Sequence, residues 1–153
     1  MRLTKQTSYA IRILMYCAAN PDRLSRMPEI AEAYGLSEAF LFKILRPISE
    51  AGLVESVRGR HGGIRLARPA GRITLFDVVR VTEESFAMAD CFESDDSGCP
   101  LVDGCELNTA LKRALDAFFA VLSEYTIEDL VRARPSINEL LGLDKLEPLR
   151  VQG

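Results

Sequence analysis

The sequence predicts a mostly α-helical protein with one small β-hairpin, and three observations carry that prediction. Apolar residues recur at helical spacing through the first fifty positions. A glycine-rich stretch, Gly59-Arg60-His61-Gly62-Gly63, separates two short runs of strand-forming residues. A segment beginning near residue 106 repeats its apolar residues in steps of four and three.

In chain order, Ala10, Ile13, Leu14 and Cys17 mark one face of an amphipathic helix over 4–20, ended by Asn20-Pro21. Pro28 suits a first helical position, so 28–34 reads as a short helix stopped by Gly35. Ser37 is a suitable N-cap for a third helix running toward Ala51-Gly52. Its face is Leu41, Ile44, Leu45 and Ile48, with Pro47 inside it expected to remove a hydrogen bond and bend the axis. Residues 53–58 and 64–67 read as strands, joined by glycines that supply the positive φ of a tight hairpin. Thr74 and Asp77 form a capping box for a helix over 75–81. Periodicity is lost from 85 to 104, an acidic stretch bearing cysteines. A long helix follows over about 106–125. Thr126 and Asp129 cap a short helix reaching about 134, Pro135 ends it, and the chain beyond 143 is expected to fray.

Bulk properties narrow the function classes. Hydrophobic residues at 48% and charged residues at 27% exclude long disorder. The first twenty residues lack the pattern of a cleaved leader, and no window approaches the roughly 18 uncharged apolar residues of a membrane span. A soluble, cytoplasmic protein with no membrane partner is expected, and in that reducing compartment the four cysteines read as free thiols, metal ligands or redox groups, not structural disulfides. The net charge of −3 hides an asymmetry: residues 1–80 hold 13 Lys+Arg against 7 Asp+Glu, and residues 81–153 hold 6 against 15. A basic half joined to an acidic half suits a nucleic-acid reader followed by a part that stays off the polyanion.

Three helices followed by a glycine-tipped hairpin is the order of a winged helix-turn-helix, whose third helix enters the major groove of double-stranded DNA. On that geometry Ser37, Glu38, Ala39 and Phe40 face DNA, with Lys43 and Arg46 one and two turns later. Arg58, Arg60, His61 and Arg65 make the hairpin a narrow basic finger for a minor groove or a phosphate track. His61, the only histidine, has no second histidine with which to share a metal.

Cys91, Cys99 and Cys105 fall within fifteen residues, whereas Cys17 lies on the apolar face of the first helix and reads as a buried structural thiol. The triplet lacks the close-spaced pairs of structural zinc sites. An iron–sulfur cluster accepts wider loops but generally takes four cysteines, so one iron is left to a non-cysteine ligand or is missing. An iron held in this way is accessible to oxygen, nitric oxide or chelators, which suits a sensor. A 4Fe-4S cluster is the first expectation, with 3Fe-4S and 2Fe-2S forms as alternatives. Asp90, Glu93, Asp103 and Glu106 are candidate fourth ligands. An enzyme is not expected, because an activated thiol needs a nearby base and the only histidine is on the hairpin.

Leu111, Leu115, Phe118, Leu122 and Tyr125 form a seam over about two heptads, which predicts a homodimer. Two reading helices per dimer match half-sites one DNA turn apart. The organisation is then a winged helix-turn-helix DNA-binding domain (1–82), a cysteine-bearing cluster loop (83–105), a dimerisation helix with a following short helix (106–134), and a tail (135–153).

Over residues 1–142 the chain resembles the bacterial iron–sulfur winged-helix transcriptional regulators that include IscR, the nitric-oxide sensor NsrR and the rhizobial iron regulator RirA. The resemblance lies in MRLTKQTSYAIRILMYCAAN, VRGRHGGIRLARP, the three cysteines and FFAVLSEYTIEDLV. LFKILRPISEAGLVESVRGR, LFDVVRVTEESFAMADCFE and CPLVDGCELN look particularly like RirA. It implies a homodimer that binds the operators of iron-responsive genes when its cluster is present, repressing iron uptake in iron-replete cells. The alternatives are a nitric-oxide-sensing repressor of NsrR type and a zinc- or thiol-dependent repressor. Two departures stand out. The histidine that serves IscR-like members as fourth ligand is replaced by Asn108, and the partner-subunit aspartate of NsrR-like members by Ser8.

Overall fold

The computed structural model describes residues 2–88 and 105–145. Helix α1 (Lys5–Ala19) turns Ala10, Ile13, Leu14, Tyr16 and Cys17 inward, so that its predicted stripe is the centre of the core. Helix α2 (Met27–Tyr34) starts one residue before the expected proline and ends on Gly35, whose φ of 62° closes the helix in a left-handed cap. Helix α3 (Glu38–Glu50) is capped by backbone alone. The Ser37 carbonyl accepts from Phe40 and Leu41, while its hydroxyl makes no capping bond. Pro47 deprives the Lys43 carbonyl of its usual helical donor and its ring crowds that carbonyl, together costing about 3 kcal/mol. The helix runs through it because Leu41, Ile44 and Ile48 are completely buried, each contributing about 1.5–3 kcal/mol.

Strands β1 (Val54–Val57) and β2 (Gly63–Leu66) pair antiparallel, Val54 opposite Leu66 and Val57 opposite Gly63. Both lie slightly inside or beside the expected ranges. Leu53 is excluded because its N–H donates to the Ile48 carbonyl at 2.9 Å and finishes α3 instead. Only Gly59 among the hairpin glycines has a positive φ, 116°, whereas Gly62 is needed for space: a Cβ there would lie 2.3 Å from the Val57 carbonyl oxygen. The chain between α1 and α2 adds a third edge to the hairpin, Ser25 and Ile64 exchanging two backbone hydrogen bonds of 2.8 Å.

Helix α4 (Leu75–Thr82) opens on the predicted capping box, and helix α6 (Ile127–Arg132) opens on a second one. The two caps lie side by side. Thr74 and Thr126 form an antiparallel bridge, with Leu75 N–H donating to the Tyr125 carbonyl and Ile127 N–H to the Ile73 carbonyl, both at 2.9 Å. Ile127 is thereby driven into the core made by α1, α3 and α4. Helix α5 (Glu106–Glu124) lies against α4. Pro135 does end α6, but the chain resumes as an unexpected single turn, α7 (Ile137–Leu140), because Ile137 finds cover, followed by a 3-10 turn over Leu143–Lys145.

Candidate nucleic-acid interface and cysteine segment

Nine of the ten predicted DNA-facing residues are exposed: Ser37, Glu38, Ala39, Lys43 and Arg46 on α3 or its cap, and Arg58, Arg60, His61 and Arg65 on the hairpin. Phe40 differs. Its ring stacks edge-on against Tyr9 of α1, centroids 5.4 Å apart, and is partly buried there. Two of the arginines are engaged locally, Arg46 with Glu50 at 2.8 Å and Arg65 with Glu55 across the hairpin. Such exposed pairs contribute at most about 1 kcal/mol and exchange readily for phosphate. Among the described residues Arg26, Lys43, Arg58 and Arg60 have no carboxylate partner.

Between α3, the start of α2 and the hairpin lies an open groove of about 380 Å³. Met27 and Ile64 floor it, Phe42 and Val57 form its sides, and Arg26 and Arg60 stand at its rim. Phe42 is 54% exposed. It was not among the predicted residues, although one signal was present: it is a large apolar side chain out of register with the Leu41–Ile44–Ile48 stripe.

Of the cysteine triplet, Cys105 alone is described. Cys91 and Cys99, with the candidate ligands Asp90, Glu93 and Asp103, lie outside the described residues. Cys105 is a free, partly exposed thiol at the N-cap of α5, followed by exposed Glu106. Among the described residues no side chain caps that end, so first-turn N–H groups and the positive end of a 19-residue helix lie beside the thiol. Thiolate and cluster sulfur are both anionic acceptors, and this setting fits them. Asn108 is half-buried one turn along α5, and Ser8 is exposed on α1. Cys17 is the opposite case, a buried thiol that burial pushes up to about 12.

The segment leading into the cysteines is fastened to the reader by a polar knot that periodicity gave no sign of. The Glu83 carboxylate accepts from the Thr4 N–H at 2.7 Å, from the Thr4 hydroxyl at 3.0 Å and from the Thr7 hydroxyl, which itself lies 2.7 Å from the Thr82 hydroxyl. The start of α1 is thus capped by a residue 79 positions away.

Helix α5 buries no residue fully. Phe119 packs on Phe76 and Phe86 at 5.1 and 4.8 Å. Leu111, Leu115, Phe118 and Leu122 of the predicted seam are half-covered, and Tyr125 is exposed. Beside that seam Leu107, Ala110, Ala114, Ala117 and Val121 form a second, exposed stripe at helical spacing. The apolar face of α5 is therefore wider than the described residues cover. No described helix is long and apolar enough to cross a membrane.

Comparison with known proteins places these features in context. The family model for Rrf2, described as an iron-dependent transcriptional regulator, matches residues 3–133. Protein aau3 of Rhizobium meliloti is 70% identical over 152 residues, 99% of this chain and 97% of that protein. The HTH-type transcriptional regulator NsrR of Oceanobacillus iheyensis is 38% identical over 147 residues, covering 95% of this chain and all of its own. Among solved structures, CymR, the global cysteine regulator of B. subtilis, superposes with a TM-score of 0.73 at 28% identity, over 88% of this chain and 98% of its own.

Proposed function

The chain belongs to the Rrf2 family of DNA-binding transcriptional regulators, and on that premise we propose that it is a homodimeric, iron-responsive repressor of iron-uptake genes. Cys91, Cys99 and Cys105 would hold an iron–sulfur cluster, 4Fe-4S in its complete form. When bound, that group supplies a labile iron centre whose gain and loss report iron supply. The observation that carries the proposal is the position of Cys105. It stands at the open amino end of α5, and the carboxyl end of that helix runs into the Thr126–Thr74 bridge on the DNA-reading core.

The chain's own residues then have distinct tasks. Cys105 and the α5 amino end hold an anionic group. Thr74, Thr126 and Ile127 keep the far end of α5 in register with α4 and α1. The uncovered stripe of α5, Leu107 to Val121, would meet a second copy, and Lys43, Arg58 and Arg60 would meet phosphates on either side of the bases read by α3. An operator with two half-sites follows from that dimer. The iron–sulfur reading is also supported by the likeness to NsrR.

The test is anaerobic purification, iron and sulfide analysis, and affinity for an enriched DNA duplex before and after chelation. A brown protein carrying iron and sulfide is expected, with DNA affinity falling at least tenfold on chelation. Replacing Cys91, Cys99 and Cys105 by alanine should abolish both colour and tight binding. If the triple variant kept its iron or its affinity, the proposal would be wrong. Loss of binding with nitric oxide but not with chelator would shift the signal to nitric oxide, and a colourless zinc protein would make the site structural.

A further inference from the structure

Apart from those of the α5 stripe, the large apolar side chains most exposed in the fold include Phe42, at 54%, and Val57, at 41%, which face each other across the groove between α3 and the hairpin. Phe42 sits in the middle of the outward face of α3, one turn after Glu38 and Ala39, beside Lys43 and one turn before Arg46. Its neighbour Phe40 is occupied by Tyr9, so Phe42 is the aromatic that remains available outward. Arg26 and Arg60 flank the groove without carboxylate partners among the described residues, which suits an occupant with phosphates on both sides and an apolar feature between them.

We infer that Phe42 is a specificity-determining residue, reading the C5-methyl group of one thymine in each half-site of double-stranded DNA. A phenyl ring has neither donor nor acceptor, so it cannot read the hydrogen-bonding code of the base edges. The apolar group that code offers in the major groove is the thymine methyl. The minor groove offers none, and α3, not the hairpin, is the element placed for the major groove. The inference rests on the DNA-binding reading above and adds to it the chemistry of one read position.

The experiment uses the full chain purified anaerobically. Binding sequences are enriched from a random duplex pool, and each thymine of the consensus is then replaced singly by deoxyuridine, which removes the methyl and nothing else. At one thymine per half-site the wild type should weaken by about fourfold, the factor for one methyl-sized group returned to water. Phe42→Ala should bind the thymine duplex more weakly and make no distinction between thymine and deoxyuridine there, whereas Phe42→Leu should keep part of the distinction. Lys43→Ala, by contrast, should weaken both duplexes equally and flatten the salt dependence, as a phosphate contact does. Tight wild-type binding that is indifferent to every replacement overturns the inference and leaves the DNA-binding reading intact. So does a Phe42→Ala protein that retains full discrimination. Failure of the wild type to enrich any sequence overturns the DNA-binding reading and the inference with it.

Discussion

Cys17 is 3% exposed on the inner face of α1, and burial pushes its thiol from an ordinary value near 9 up to about 12. Ionisation is thus easier in the unfolded chain than in the native one. Between those two values the unfolded state binds fewer protons, so stability is intact below pH 9 and is lost as pH rises toward 12. The slope is about 1.4 kcal/mol per pH unit for one such group. Denaturant unfolding from neutral to alkaline pH should show that decline, and Cys17→Ala should show less of it. Residual slope is expected from Tyr34, whose hydroxyl burial likewise pushes up to about 12. In native protein free of any cluster a thiol reagent near neutral pH should modify Cys105 and spare Cys17, and equal rates would contradict the burial of Cys17. The burial of Cys17 was legible from helical periodicity alone. The roles of Phe40 and Phe42 were not. They flank the core stripe on opposite sides, and which flank is covered depends on where Tyr9 of α1 lies, information that no local pattern in α3 contains.

The two capping boxes show what an element gains from its neighbours. In each, a threonine side chain accepts from the third helical N–H, and the aspartate there accepts from the threonine N–H in return. An isolated cap of this kind is worth about 0.5–2 kcal/mol. Here the two threonines also bridge, so loss of one loosens the frame of the other. Thr74→Ala and Thr126→Ala should each destabilise by about 1 kcal/mol, and the double variant should differ from their sum by at least about 0.5 kcal/mol, as contacting residues do. Simple additivity in denaturant melts would mean the bridge does not couple the two caps. Both boxes were readable in sequence because capping is local chemistry within four residues. So were the bounds of α1 to α5, to within a residue or two. The bridge between the boxes, the Glu83 knot at the start of α1 and the single turn of α7 were not readable, since each depends on segments brought together from distant positions or on a helix too short to show a period.

At the scale of the whole molecule, the proposed switch requires a change at Cys105 to reach α3. Helix α5 is 19 residues long, about 28 Å at the usual rise, and it joins the cysteine to the Thr126–Thr74 bridge without interruption. On the proposed function, its stiffness would transmit that change. Lys112 and Asp116 are exposed and belong to neither apolar stripe, Asp116 lying one turn and Lys112 two turns before Phe119 on its side of the helix. Replacing both by glycine softens the helix at a cost of about 1 kcal/mol each and removes neither a thiol nor an apolar contact. The variant should still dimerise, still hold iron and sulfide, and still bind DNA with the steep salt dependence that the basic half of the chain dictates. What it should lose is the link: chelation that lowers wild-type DNA affinity at least tenfold should lower the variant's by less than about threefold, a coupling energy falling from about 1.4 to under about 0.7 kcal/mol. A variant that keeps full coupling would show that the signal does not travel along α5. It would then point to the other fastening of the cysteine segment, the Glu83 carboxylate held by Thr4 and Thr7 at the start of α1.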